Sequence, residues 1–76
     1  MNTQDFIEKF AEALEIEDAS SLVPETEFRS LEEWDSINYL SVIAMMDAEY
    51  DIQIEQSEFK KLNTIQSIVD FIESHK

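Results

Sequence analysis

The chain has 76 residues, 18 of them acidic and 5 basic, which leaves a net charge of −13. A domain this size buries only about 60% of its unfolded surface, yet 43% hydrophobic content is too high for a disordered acidic tail. With no glycine and no cysteine, there is no phosphate-binding loop, dinucleotide fingerprint, thiol nucleophile, zinc-thiolate site or disulfide.

A first helix is expected from Thr3 or Gln4 to Leu14. Phe6, Phe10 and Leu14 recur every fourth residue, with Ile7 and Ala11 beside them. Asn2 or Thr3 can cap it, and Asp5 suits its first turn. From Glu15 to Trp34 helical periodicity is absent, and the sole proline, Pro24, lies there. A connection of about twenty residues is long, but Leu22, Val23, Phe28 and Leu31 are spaced to pin it to the rest. A second helix should run from Ser36 to about Tyr50. A short third one, around Ser57 to Lys61, offers Phe59 and Leu62. The fourth follows the N-cap Thr64, with Ile65, Ile68, Val69 and Ile72 at helical spacing. Asp18, Asp51 and Asn63 stand at the joints, where Asp and Asn best tolerate left-handed geometry. These signals predict an all-α fold in one domain over residues 1–76.

The second helix carries two apolar faces. At about 100° per residue, Tyr39, Val42, Ile43, Met46 and Tyr50 share one side. Ile37, Leu40, Ser41, Ala44 and Ala48 share the other. One stripe suffices for a core, so the aromatic and methionine face is read as core. The other is read as a docking face for partners, unless the long loop folds back over it through Leu31 or Trp34.

At the start of that helix, Asp35 is a good N-cap and Ser36 falls on the first turn. Free backbone N–H groups and the helix dipole there favour an anion on the serine oxygen. Asp35-Ser36-Ile37, placed at the mouth of an apolar helix, resembles the Asp-Ser-Leu signature of the acyl carrier proteins. The similarity extends from the helix at Phe6 to the one ending near Ile72. It implies a four-helix bundle with a long loop between the first two helices. By the same resemblance, a phosphopantetheinyl transferase would move 4′-phosphopantetheine from coenzyme A onto Ser36. The arm's thiol would then hold an acyl or aminoacyl group, and the core between helices two and three would admit a fatty chain. The resemblance also implies that partner enzymes read the second helix, here at Ile37, Leu40, Ser41 and Ala44.

The chain departs from that family in three places. Asn38 and Ser41 stand where relatives are usually acidic, so shape at Ile37 and Leu40 should decide docking more than charge, as in a dedicated pathway. Trp34 replaces the small residue common before the serine, and it reads as a hydrophobic staple. The glycine-rich run of peptidyl carriers is missing.

Ser36 has no side-chain base to activate it, because the one histidine, His75, lies at a fraying end. The expected molecule is therefore not an enzyme. Its acidity repels nucleic acid and anionic membranes and favours loading and transferring enzymes with basic or apolar patches. No apolar stretch is long enough to span a membrane, and the start lacks the features of a signal peptide. A cytoplasmic monomer is expected. Two alternatives stand beside the carrier reading. One is a helical scaffold used only for protein contacts. The other is a calcium loop built from Asp47, Glu49, Asp51, Gln53, Glu55 and Glu58, although Ile52 occupies its glycine position.

Overall fold

The structure, a computed structural model, describes residues 2–75. Helix α1 spans Thr3–Ala13, α2 Ser36–Tyr50, α3 Gln56–Phe59 and α4 Ile65–Ser74. No strand forms among the described residues; an isolated bridge pairs Glu27 with Thr64. The fold is thus all-α, with three longer helices, one short helix and a long first connection.

Helix α1 starts where Asn2 accepts a 2.8 Å bond from the Gln4 N–H. Its predicted stripe of Phe6, Ile7, Phe10, Ala11 and Leu14 is buried throughout. The helix ends in a Schellman arrangement. Glu15 donates to the Glu12 carbonyl and Ile16 to the Ala11 carbonyl, with Glu15 left-handed at φ 59°. Asp18, expected from its residue type to turn left-handed at this joint, does not. Where the helix stops decides which residue turns, and with no glycine in the chain Glu15 takes the strained geometry. Asp18 instead caps a 3₁₀ turn at Ala19–Ser21. Hydrogen bonds from the Ser20 side chain and backbone hold its carboxyl below the ordinary value. Asn63 also keeps negative φ, whereas Asp51 closes α2 in the left-handed region as expected.

The long connection is anchored rather than loose. A second 3₁₀ turn covers Phe28–Ser30. Leu22 and Phe28 are buried and Leu31 packs against the core. Val23 departs from expectation and is 47% exposed. It opens a tight turn closed by bonds to and from Thr26, which leaves its side chain outside. The carbonyls of Pro24 and Thr26 accept from the N–H groups of Gln66 and Ile65. They satisfy first-turn donors of α4 that the helix itself cannot pair. Thr64 and Ser67 complete that terminus as a reciprocal capping box.

Helix α1 packs on both α2 and α4. Ile65, Ile68, Val69 and Ile72 of α4 are buried as their spacing predicts, and the helix continues two residues past Ile72. On α2, Val42 and Met46 are fully buried, while Tyr39, Ile43 and Tyr50 are partly covered. Ile52 and Ile54, in the extended link to α3, also join the core. An aromatic cluster fills the end of the molecule near α3. Phe28 and Phe59 lie 5.4 Å apart, and Trp34 meets Phe28 edge to face at 4.9 Å.

Candidate functional site

Ser36 is exposed at the first position of the 15-residue helix α2. Three local devices hold it there. The Asp35 carboxylate accepts from the Asn38 N–H at 2.8 Å, which satisfies one free donor of the first turn. The Asn38 side-chain amide donates back to the Glu33 carbonyl, tying the preceding loop to the helix. Trp34, just before the cap, meets Tyr39 edge to face with centroids 6.3 Å apart. That contact is the staple read from the sequence. Among the described residues the N–H groups of Ser36 and Ile37 have no acceptor. Two donors and the positive end of the dipole therefore remain beside the Ser36 hydroxyl.

A cleft of about 290 Å³ opens next to this hydroxyl. It is lined by Trp34, Asp35, Ser36 and Tyr39 from the start of α2, by Gln56, Phe59 and Lys60 from α3 and its end, and by Arg29. The space beneath is closed by rings, since Tyr39 and Phe59 are 5.1 Å apart and Trp34 lies nearly parallel to Phe59. Arg29 is tied firmly. Its guanidinium donates to the Phe59 carbonyl at 2.8 Å, to the Leu62 carbonyl and to Asn63 at 3.3 Å. It also lies over the Phe28 and Phe59 rings, 4.9 and 5.5 Å from their centres. Those contacts bind the long connection to the end of α3.

The predicted docking residues lie outside the cleft lining. Ile37 is 73% and Leu40 62% exposed, so the long loop does not cover them; Leu31 and Trp34 turn into the core instead. Ala44 is exposed, and Ser41 is half-covered with its hydroxyl donating to the Ile37 carbonyl. Ser41, Ala44 and Ala48 line a shallow groove of about 480 Å³ shared with Lys9, Glu12 and Ala13 of α1. The structure thus divides the predicted residues between two surfaces. Asp35 and Ser36 face the cleft, and the apolar stripe extends away from it along α2.

Sequence reasoning missed Arg29, Gln56 and Lys60. No sequence signal pointed to them, because that two of the chain's five basic residues line one cleft is decided by the tertiary fold. His75 caps the end of α4 and stacks on Phe71 at 4.0 Å, and it is not part of the cleft lining. Asp35 contributes the cleft's carboxylate, and that group is engaged as a cap. Two of the residues named for a calcium loop do not lie in a loop. Asp47 and Glu49 sit on the regular helix α2, and no group of three or more His, Asp or Glu among the described residues is placed to hold a metal. Tyr50 stands at the far end of α2, where burial and then Glu49 and Asp5 disfavour its ionised form. Among the described residues no helix is long and apolar enough to cross a membrane.

The phosphopantetheine attachment site family matches residues 4–72 of this chain. The acyl carrier protein of Thermosynechococcus vestitus is 32% identical over 76 residues, covering 95% of this chain and 93% of that protein. The acyl carrier protein of Rubrobacter xylanophilus is 29% identical over 59 residues, covering 78% and 73%. One from Buchnera aphidicola is 38% identical over 40 residues, covering 53% and 50%.

Proposed function

This chain belongs to the acyl carrier protein family, and on that premise we propose that Ser36 is the residue that takes its 4′-phosphopantetheine arm. The molecule is a carrier and not a catalyst. The observation that carries the choice of serine is the placement of an exposed hydroxyl on the first turn of α2, beside two backbone donors without acceptors. Ser20 and Ser21 belong to a 3₁₀ turn whose bonds run back to Asp18. Ser67 is spent on the α4 capping box.

The chain's own residues perform limited tasks. Asp35 fixes the first turn, Trp34 and Tyr39 clamp its approach, and Ser36 supplies the oxygen of a phosphodiester. In this reading a transferase brings the base, since the carboxylate of the cleft lining, Asp35, serves as the helix cap. The bound arm supplies a thiol that carries cargo as a thioester. Tethering turns each transfer from an encounter with free metabolite into a local event. We read the cargo as acyl or aminoacyl and the setting as a dedicated biosynthetic pathway. Its enzymes would dock on Ile37, Leu40, Ser41 and Ala44, on a monomeric, single-domain carrier of the cytoplasm.

Intact mass after incubation with a promiscuous transferase and coenzyme A tests this. One arm should be added to the native chain, and none to Ser36→Ala, which should stay helical by circular dichroism. Modification of Ser36→Ala would overturn the assignment. A native chain that takes no arm would point to a scaffold that merely keeps the fold.

A further inference from the structure

The family resemblance implies an interior between α2 and α3 that admits a fatty chain. In this protein rings fill that space. Phe28 and Phe59 are buried, and Trp34 and Tyr39 pack against the core. Trp34 lies 4.9 Å from Phe28 and 6.0 Å from Phe59, and Tyr39 lies 5.1 Å from Phe59. Phe10 of α1 extends the cluster, 6.1 Å from Phe28 and 6.4 Å from Trp34. One and two turns after Tyr39 on α2, Val42 and Met46 are fully buried.

An alkyl chain could enter only if this packing gave way, and three features resist that. Rings are flat and stiff, so a cluster in stacked and edge-to-face contact has few alternative arrangements. Extra methylenes in a filled core force side chains off their preferred rotamers. Arg29 supplies the second resistance. Its guanidinium donates to the Phe59 carbonyl at 2.8 Å and to the Leu62 carbonyl, and it covers the Phe28 and Phe59 rings. Widening the space by moving α3 outward would break that fork. The third feature is polarity. The Ser36 cleft adds Asp35, Gln56 and Lys60 to these rings, and a methylene chain laid beside such groups strips their water without replacing its bonds.

We propose that this carrier's cargo is a short acyl or aminoacyl group that stays outside the fold, because Phe28, Trp34, Tyr39 and Phe59, locked by Arg29, exclude a long alkyl chain from the space between α2 and α3. Phe59 is the specificity-determining residue, since it alone of the cluster belongs to α3 and touches the other three rings. The cargo is then read by the partner enzyme and not by the carrier's interior. This proposal rests on Ser36 as the attachment point.

Chain-length dependence of stability tests it on the whole protein. Acetyl and octanoyl forms are made with a promiscuous transferase and the corresponding acyl-coenzyme A, and each is verified by intact mass. Burying the further methylenes of octanoyl would raise the urea midpoint by roughly 1 M or more. The two native forms should instead unfold at the same midpoint, while octanoyl protein is retained longer on a hydrophobic-interaction column. Phe59→Ala removes the central ring, and its octanoyl form should unfold at a higher midpoint than its acetyl form. Tyr39→Ala, on a partly covered residue of α2, gives the same comparison in a background that keeps Phe59. An octanoyl midpoint above the acetyl one in the native protein would overturn the proposal. So would flat midpoints in both variants, because the rings would then not be what excludes the chain. Absence of any mass increase on the native chain would overturn the Ser36 reading instead, and the proposal with it.

Discussion

The ring of Trp34 lies nearly parallel to that of Phe59, with 6° between the planes and 6.0 Å between centroids. The pair joins the residue ahead of the α2 cap to the last residue of α3. Through it, the angle at which the chain enters α2, and so the direction of the Ser36 hydroxyl, depends on a segment more than twenty residues away in sequence. Phe59 is 2% exposed and also contacts Phe28 and Tyr39.

Phe59→Ala should therefore cost about 3–5 kcal/mol in urea unfolding, the range for emptying a buried aromatic site. That is a large share of the roughly 5–15 kcal/mol that a domain has in total. Phe59→Leu should cost clearly less, and Trp34 emission should move to the red in the alanine variant. An unchanged unfolding midpoint would remove Phe59 from the core.

Arg29 makes the second long-range tie. Its fork reaches the Phe59 and Leu62 carbonyls and lies over two rings, a geometry that a lysine ammonium does not reproduce. Arg29→Lys should lower stability by about 1–2 kcal/mol, because charge-assisted bonds are lost and the residue is partly solvated. Amide exchange in α3 should rise more than in α1. Uniform protection across both helices would show that Arg29 does not anchor the loop.

Ile37 and Leu40 lead to a prediction of opposite character. At 73% and 62% exposure, Ile37→Asp and Leu40→Asp should alter stability by about 0.5 kcal/mol or less. In an apolar contact with an enzyme the same charges would cost roughly 2–5 kcal/mol. Modification and loading rates should collapse while the thermal melt stays in place. Normal rates on folded variants would move docking to the acid-rich α1 and the long connection.

The charge balance predicts how stability responds to salt. One ion pair is found among the described residues, Lys9 with Glu49 at 4.0 Å, and a surface pair of that kind is worth only about 0–1 kcal/mol. The remaining acids repel one another across short distances. Raising ionic strength from low to physiological should raise the melting temperature, and millimolar magnesium should raise it further. A flat response in a salt series followed by circular dichroism would mean that the acids are already compensated.

Much of this molecule is written in short stretches of sequence. Helix periodicity places Phe6, Phe10, Ile65 and Ile72 inside. The caps at Asp35 and Thr64 sit where single residues and their near neighbours predict, as does the left-handed Asp51. Each of these depends on bonds or packing within about four residues, one turn of helix, so the information is local. The two faces of α2 follow from the same period, and so does the exposure of Ile37 and Leu40 beside Ser36. The connections behave differently. Val23 turns outward, Ile52 and Ile54 turn inward, and Glu15 takes the strained geometry expected of Asp18. Whether a loop residue is buried depends on which distant surface it meets, and no period records that. The cleft shows it most clearly. Arg29 reaches a carbonyl 30 residues away, and Lys60 lines the same cleft as Ser36 because α3 is folded back beside the start of α2. Sequence alone set a serine at a helix mouth with an apolar stripe behind it. Tertiary packing decided that two of five cations would line the cleft beside that serine, because long-range burial of aromatic rings, not local backbone preference, fixes where α3 lies.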